Sequence, residues 1–206
     1  MSTPSRRLSR EESQVQTRQR LIEAASQQVA ERGFAATSVR DIAKAAGYTQ
    51  GAFYSNFESK EALLLDLMRQ HKEQIAGDLF GAIAAAGEDF EAILKAVEGW
   101  AAAFGMNSQQ ALLATELYLL AARNPGFGVA YAALMDEQRQ AYGQLLDRLF
   151  TLAGQPPPAP VAELAGSLMN LARSLATDTA LYGSTTQGEL LTRVIRSLFD
   201  RPAKPR

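Results

Sequence analysis

Residues 37–57 decide the fold, and they read Thr37-Ser-Val-Arg-Asp-Ile-Ala-Lys-Ala-Ala-Gly47-Tyr-Thr-Gln-Gly-Ala-Phe-Tyr-Ser-Asn-Phe57. Thr37 or Ser38 can cap a helix whose apolar residues follow the i, i+3, i+4, i+7 spacing of one buried face. Gly47 ends that helix, because glycine takes the left-handed conformation without a Cβ clash. Thr49 then caps a second short helix. Two short helices joined in this way are typical of a helix-turn-helix that reads a DNA major groove.

The second short helix has two different faces. Phe53 and Phe57 are predicted to face a core, together with Ala52. The outward positions are small or polar, as a helix lying against base edges requires. Ser59 then caps a longer helix, and Glu61 lies in its first turn near the positive end of the helix dipole. The outward positions are Gln50, Gly51, Tyr54 and Ser55.

The segment before this stretch is predicted to hold one long helix and a flexible arm. Ser9 and Glu12 fit a capping box, and the apolar spacing extends the helix to about Arg32, before a glycine. Residues 1–8 are expected to be a flexible basic arm. Its arginines either approach phosphates or a minor groove, or belong to an ordinary solvated tail. They are Arg6, Arg7 and, at the start of the helix, Arg10.

The ordered positions that make the N-terminal segment specific are Thr37-Ser38, Asp41-Ile-Ala, Ala46-Gly47, Gly51, Tyr54, Phe57, Ser59-Lys60-Glu61 and Leu64. In these positions residues 18–68 resemble the TetR family of bacterial transcriptional regulators. The resemblance implies an all-α homodimer of about nine helices. It implies a tri-helical helix-turn-helix DNA-binding domain over residues 9–58 and a helical ligand-binding and dimerisation domain over residues 59–200, followed by a tail at 201–206.

Composition agrees with a soluble regulator. The chain has 206 residues, 47% of them hydrophobic, and no cysteine, which excludes disulfides and thiolate metal sites. Residues 1–60 hold nine Lys and Arg against six Asp and Glu (+3), and the remainder holds twelve against sixteen (−4). No apolar run approaches the length of a membrane span, and the start lacks a signal-like apolar block. We therefore expect a cytoplasmic, nucleoid-associated protein that does not bind membranes.

The residues of an enzyme site are missing from the sequence. There is one histidine, and we find no glycine-rich phosphate loop, no zinc-spaced cluster and no nucleophile paired with a base. The sequence therefore predicts a protein that is not an enzyme and has no cofactor, no metal and no catalytic residue.

Matching to the family assigns DNA contacts. One set of residues is expected to contact backbone phosphates. Two of its members, Arg40 and Lys44 on the first short helix, could equally be ordinary solvated charges. Base edges are the expected partners of the other set, whose glutamine can pair bidentately with adenine. The phosphate set is Thr37, Ser38, Arg40, Lys44, Tyr54 and Lys60. The base set is Gln50, Gly51 and Ser55, and Thr49 could do either while capping its helix.

Leucine-rich stripes on the last two helices, about 161–182 and 187–199, predict dimerisation. Paired with their symmetry mates they would form a four-helix bundle, which the resemblance also implies. The alternative is that they serve only the core of one chain. The stripes are Leu164, Leu168, Leu171 and Leu175, and Leu191, Val194, Ile195 and Leu198.

The middle helices carry candidate ligand contacts. Bulky apolar residues there either line a cavity or form ordinary core. Polar residues on apolar faces are more informative, since their burial is costly unless they are hydrogen-bonded. The lone histidine could equally be structural, and Glu116 could pair with Arg173 or Arg123. The candidates are Leu67, His71, Trp100, Phe104, Leu113, Glu116, Leu117, Leu120, Tyr131, Met135, Gln138 and Arg173.

Together these features predict a repressor that binds palindromic operator DNA as a dimer and is released by a mostly apolar small molecule. The alternative is a DNA-binding protein of the same fold that is controlled by a protein partner or acts structurally.

Overall fold

A computed structural model describes residues 9–104, 108–183 and 187–200, and these residues form nine α-helices. No strand occurs among them, so the predicted all-α fold is confirmed. Within these ranges no helix is both long and apolar enough to cross a bilayer. The helices are α1 (Arg10–Arg32), α2 (Val39–Ala45), α3 (Gln50–Tyr54), α4 (Lys60–Ala86), α5 (Phe90–Phe104), α6 (Ser108–Arg123), α7 (Pro125–Ala153), α8 (Val161–Tyr182) and α9 (Gln187–Ser197).

Most helix ends follow from their capping residues. Ser9 and Glu12 form the predicted capping box at the start of α1. Helix α7 begins at Pro125, because proline at the first helical position needs no hydrogen-bond partner for its nitrogen. The end of α9 was predicted at Phe199. It comes at Ser197 instead, since the amides of Leu198 and Phe199 donate to carbonyls three residues earlier rather than four.

The chain divides into two compact units between Met68 and Arg69, within α4. The sequence predicts this boundary at residues 58/59, before α4. The start of α4, Lys60–Met68, belongs to the first unit, where Leu63 and Leu64 are completely buried. We call this first unit, Met1–Met68, the head. Its other large buried residues are Leu21, Ile22, Val29, Ile42, Phe53 and Phe57.

The second unit is a helical bundle. In it α8 packs against α6, α7 and α9, and α5 packs against α9. The contact between α5 and α9 is close, because a Cβ added to Gly188 would lie 2.6 Å from the carbonyl oxygen of Ala102. The main core draws on helices α4, α5, α7, α8 and α9, and includes Leu79, Ile83, Ile93, Leu94, Leu149 and Leu191.

Candidate nucleic-acid interface

Ser38 begins the helix-turn-helix. Its Oγ accepts a hydrogen bond from the Asp41 amide at 3.1 Å, and the Asp41 carboxylate accepts one from the Ser38 amide at 3.1 Å. Hydrogen bonds from Ser38, first from its side chain and then from its backbone, lower the pKa of Asp41. The structure thus selects Ser38 rather than Thr37 as the cap of α2, and a capping box fixes the entry into the helix.

The turn between α2 and α3 requires its glycine. Gly47 has φ of +79°, in the left-handed region that L side chains rarely adopt. The Tyr48 amide then donates to the carbonyl of Ala43 at 2.8 Å, which closes the turn. Thr49 caps α3 by accepting the Ala52 amide at 3.2 Å. The turn and cap together fix where the short α3 begins.

Helix α3 buries one side and presents the other to solvent. Phe53 is fully buried, and its ring contacts that of Phe57 at 5.8 Å between centroids. Tyr54 is 60% exposed, and its ring stands edge-on to Phe53 at 5.4 Å. Ser55 is also exposed, although its hydroxyl donates to the carbonyl of Gly51 at 2.9 Å. The exposed set is Gln50, Gly51, Tyr54 and Ser55, with Thr49 beside them. This outer side is called the reading face.

Gly51 has room for a side chain within the protein. A Cβ built there would meet only Thr49 Oγ1, at 3.7 Å, which is ordinary van der Waals contact. Its φ is not in the left-handed region. Neither internal packing nor backbone conformation therefore requires glycine at this position. Close approach of an external surface is a physical reason for it, because glycine in a helix costs about 0.5–1 kcal/mol relative to alanine.

Arg40 and Lys44 lie four residues apart on α2, and both side chains are exposed. Residues at this spacing share a helix face. Arg10, at the start of α1, is exposed as well, whereas Arg6 and Arg7 lie outside the described residues. Because these cationic side chains are already exposed, they can contact phosphates without a rearrangement of the protein.

Thr37 differs from its assigned role. Its side chain is 1% exposed, and its hydroxyl donates to the carbonyl oxygens of Gln28 at 3.1 Å and Gly33 at 2.9 Å. A buried hydroxyl satisfied in this way cannot reach a phosphate. The assignment of a phosphate contact to this side chain is corrected: Thr37 ties the start of α2 to the end of α1.

Lys60 also points toward the protein. Its Nζ donates to the carbonyl oxygens of Phe34 at 2.7 Å and Thr37 at 2.5 Å, and it lies 3.8 Å from the centroid of the Phe34 ring. Desolvation lowers the pKa of this ammonium group. Only one of its three N–H donors remains for an external partner. The main contacts of Lys60 therefore link the start of α4 to the turn before α2.

Arg18 is a residue that the sequence analysis missed. From α1 it contacts both the segment after α3 and the first half of α4, through Asn56 and Asp66. These partners are 38 and 48 residues away in the chain, so neither helical spacing nor capping patterns could reveal them.

Aromatic side chains in the second unit gather around one ligand candidate. The ring of Tyr131 lies 6.5 Å from that of Tyr118 and 6.1 Å from that of Phe127. The guanidinium of Arg173 lies 4.2 Å from the centre of the Tyr118 ring. Burial raises the pKa of Tyr131. The structure thus brings Tyr131 and Arg173 together through Tyr118, an aromatic residue that the sequence analysis did not select.

A second group joins α5 and α7. The amide of Gln138 donates to the hydroxyl of Tyr142 at 3.0 Å, and the Tyr142 ring lies 5.5 Å from Trp100.

The other ligand candidates differ in their surroundings. Burial lowers the pKa of His71 on α4. Leu67 belongs to the head and the side chain of Phe104 lies outside the described part. Of the remaining candidates, Leu113 and Leu117 are buried, whereas Glu116, Leu120 and Met135 are half-buried.

Three of the eight residues of the proposed dimer stripes are buried within the chain itself. Leu175, Leu191 and Ile195 are 8%, 3% and 3% exposed, and they form part of the main core of the second unit. Such residues have little apolar area left for a partner, so their assignment to a dimer interface is corrected. The half-buried members are Leu164, Leu168, Leu171, Val194 and Leu198. The exposed apolar residues at this end of the chain are instead Leu181, Tyr182 and Leu190.

Comparison with known proteins adds to this geometry. The family model of bacterial regulatory proteins of the tetR family matches residues 21–67. Over 80 residues the chain is 40% identical to the HTH-type transcriptional repressor KstR2 of Rhodococcus jostii (strain RHA1). That similarity covers 39% of this chain and 39% of the relative, so the chain spans well under two thirds of the length of this curated relative.

Solved structures extend the likeness to most of the chain. A TetR-family transcriptional regulator from Rhodococcus sp. has a TM-score of 0.76 at 15% identity, covering 90% of this chain and 100% of that one. The fatty acid degradation regulator FadR from Bacillus halodurans has a TM-score of 0.75 at 19% identity, covering 89% and 94%. At these identities the likeness establishes the fold. Residues 21–67 are thus similar to the tetR family of bacterial regulatory proteins, and the fold over most of the chain is that of solved TetR-family regulators.

Proposed function

We propose that this protein is a transcriptional repressor that binds palindromic operator DNA through α3 as a homodimer. The observation that carries the proposal is the reading face. Its residues are polar or lack a side chain, and they stand on a short helix fixed by the Gly47 turn and the Thr49 cap. Exposed Arg40 and Lys44 on α2 are suitable for phosphates beside the groove. The repressor role is favoured by the similarity to KstR2.

A dimer is part of this proposal because one short helix reads few base pairs. Two heads related by a twofold axis would read half-sites about 34–36 Å apart. Leu181, Tyr182 and Leu190 are exposed apolar residues at the ends of α8 and α9, and they can supply the centre of such a contact. The half-buried members of the leucine stripes would contribute its edges.

Release by a mostly apolar small molecule completes the proposal. Half-buried aromatic and polar side chains in the second unit provide partners for such a ligand: Trp100, Tyr131, Gln138 and Arg173. The ligand would favour one position of α4, which contributes residues to both the head and the main core of the second unit. To alter DNA binding, it must bind the two arrangements with different affinity.

The test is selection of bound duplexes from a random-sequence pool, followed by titration with salt. We expect a palindrome to be enriched, with two protomers per duplex by sedimentation and an affinity that falls as salt rises. Failure to enrich any sequence would contradict the proposal. A screen of apolar compounds against the enriched duplex then tests release. A protein that binds the palindrome but responds to no compound would favour control by a protein partner.

A further inference from the structure

We propose that Arg18 positions the reading helix α3 relative to α4, by holding the chain segment after α3 and a carboxylate of α4 at the same time. This inference rests on the proposed function, because it concerns how α3 is presented to DNA. It assigns to Arg18 neither a base contact nor a phosphate contact.

The guanidinium of Arg18 makes contacts in two directions. Toward α4, its Nε donates to the Asp66 carboxylate at 3.0 Å, and its Nη2 lies 2.9 Å from the same oxygen. Toward α3, its Nη1 donates to the main-chain carbonyl of Asn56 at 2.6 Å. Its Cζ also lies 4.1 Å from the centre of the Phe57 ring. One planar group thus connects α1, the segment after α3 and α4, which a lysine ammonium could not do with the same geometry.

Asn56 passes this constraint to α3. It lies two residues after the helix ends at Tyr54, and its side-chain amide donates to the carbonyl of Ala52 at 2.8 Å. Its amide nitrogen also donates to the carbonyl of Phe53 at 2.9 Å. Moving the main-chain carbonyl of Asn56 would therefore move the last turn of α3. That turn carries Tyr54 and Ser55 of the reading face.

Asp66, the partner of Arg18 on α4, is also held in place. Asp66 is only 20% exposed at its side chain, and it follows the buried Leu63 and Leu64 along α4. Since α4 continues as one helix to Ala86, a displacement of its first half is passed to α3 through Arg18. Arg18 itself is 39% exposed, so a direct phosphate contact is the competing role that the experiment must separate.

The experiment compares Arg18→Lys with Arg20→Lys, an exposed arginine two residues along the same helix. Each variant is titrated with the selected palindrome and with a scrambled duplex, across a salt series. A positioning role predicts that Arg18→Lys lowers affinity for the palindrome about five- to tenfold, the scale of one lost base match. Affinity for the scrambled duplex should fall less than affinity for the palindrome, and the salt slope should stay unchanged, because the cationic phosphate contacts of Arg40 and Lys44 remain. Arg20→Lys should change neither.

Asp66→Asn provides a second variant that keeps the shape of the side chain. It should lower the palindrome affinity in the same direction, and the double variant should lose less than the two losses combined, because both residues belong to one contact. Thermal unfolding confirms that each head is folded at the assay temperature. A parallel loss on both duplexes with a shallower salt slope would overturn the inference in favour of phosphate binding. Unchanged palindrome affinity in both variants would also overturn it. If wild-type protein selects no sequence, the proposed function itself fails first.

Discussion

Replacing Gly51 with alanine should separate the stability of the head from its affinity for DNA. The added methyl group would meet only Thr49 Oγ1, at 3.7 Å, so it causes no clash within the protein. Alanine is a better helix former by about 0.5–1 kcal/mol, although a position near the start of a five-residue helix realises only part of this. We therefore expect the free energy of unfolding to stay constant or rise by up to about 1 kcal/mol.

The effect on DNA binding should have the opposite sign. If base edges approach the Cα of Gly51, a methyl group there must push the two surfaces apart. Forcing a methyl group into a closely packed contact costs about 1–3 kcal/mol, which corresponds to about a five- to 150-fold loss of affinity. Fluorescence anisotropy with the selected duplex measures that loss, and urea unfolding followed by circular dichroism measures stability.

Gly99→Ala is the matched control. Gly99 is an exposed glycine within α5, and a Cβ built there meets nothing within 4 Å. This variant should be as stable as the wild type or more so, and should bind DNA normally. Normal DNA binding by Gly51→Ala would refute the assignment of this residue to a close contact. A large loss of stability in that variant would refute the argument from the open space around it.

Three further predictions concern other residues. Thr37→Val should lower the free energy of unfolding by about 1–3 kcal/mol, because it leaves buried carbonyls without their donor; unchanged urea unfolding would show that the hydroxyl carries no such role. Tyr54→Phe should weaken binding to selected and scrambled duplexes alike in anisotropy titrations, and wild-type affinity for both duplexes would remove Tyr54 from the interface. Burial lowers the pKa of His71 below its ordinary value, so its contribution to stability is complete above about pH 6.5 and is lost as the pH falls and the unfolded chain takes up the proton. Urea unfolding at pH 7.5 and 5.5 should thus show a larger decline for the wild type than for His71→Gln, and equal declines would contradict this linkage.

Local patterns predicted the helices of the head well, because their signals lie within a few residues of each other. The capping box at Ser9 and the cap at Thr49 were read directly from the sequence, and both are present. The choice between Thr37 and Ser38 as the cap of α2 could not be made in this way. It depends on carbonyls at the end of α1 that bury the threonine hydroxyl.

Long-range contacts were beyond the reach of sequence patterns. Lys60 has the residue type of a phosphate contact, yet its ammonium binds carbonyls more than twenty residues away. The leucines of α8 and α9 follow a helical stripe, but periodicity does not say whether that stripe meets its own chain or a second copy. The burial of Leu175, Leu191 and Ile195 in the core answers this for three of the stripe residues.

Whether the reading face recognises bases can be tested by comparing the sequences selected by wild-type protein and by Gln50→Ala. Both proteins select from the same random-duplex pool, with Gln144→Ala on the exposed side of α7 as the matched control. We expect a palindrome for the wild type and the control. Base recognition by Gln50 predicts that Gln50→Ala loses preference at one symmetric pair of positions while keeping the rest. An identical motif from all three proteins, or no enriched motif from the wild type, would contradict it.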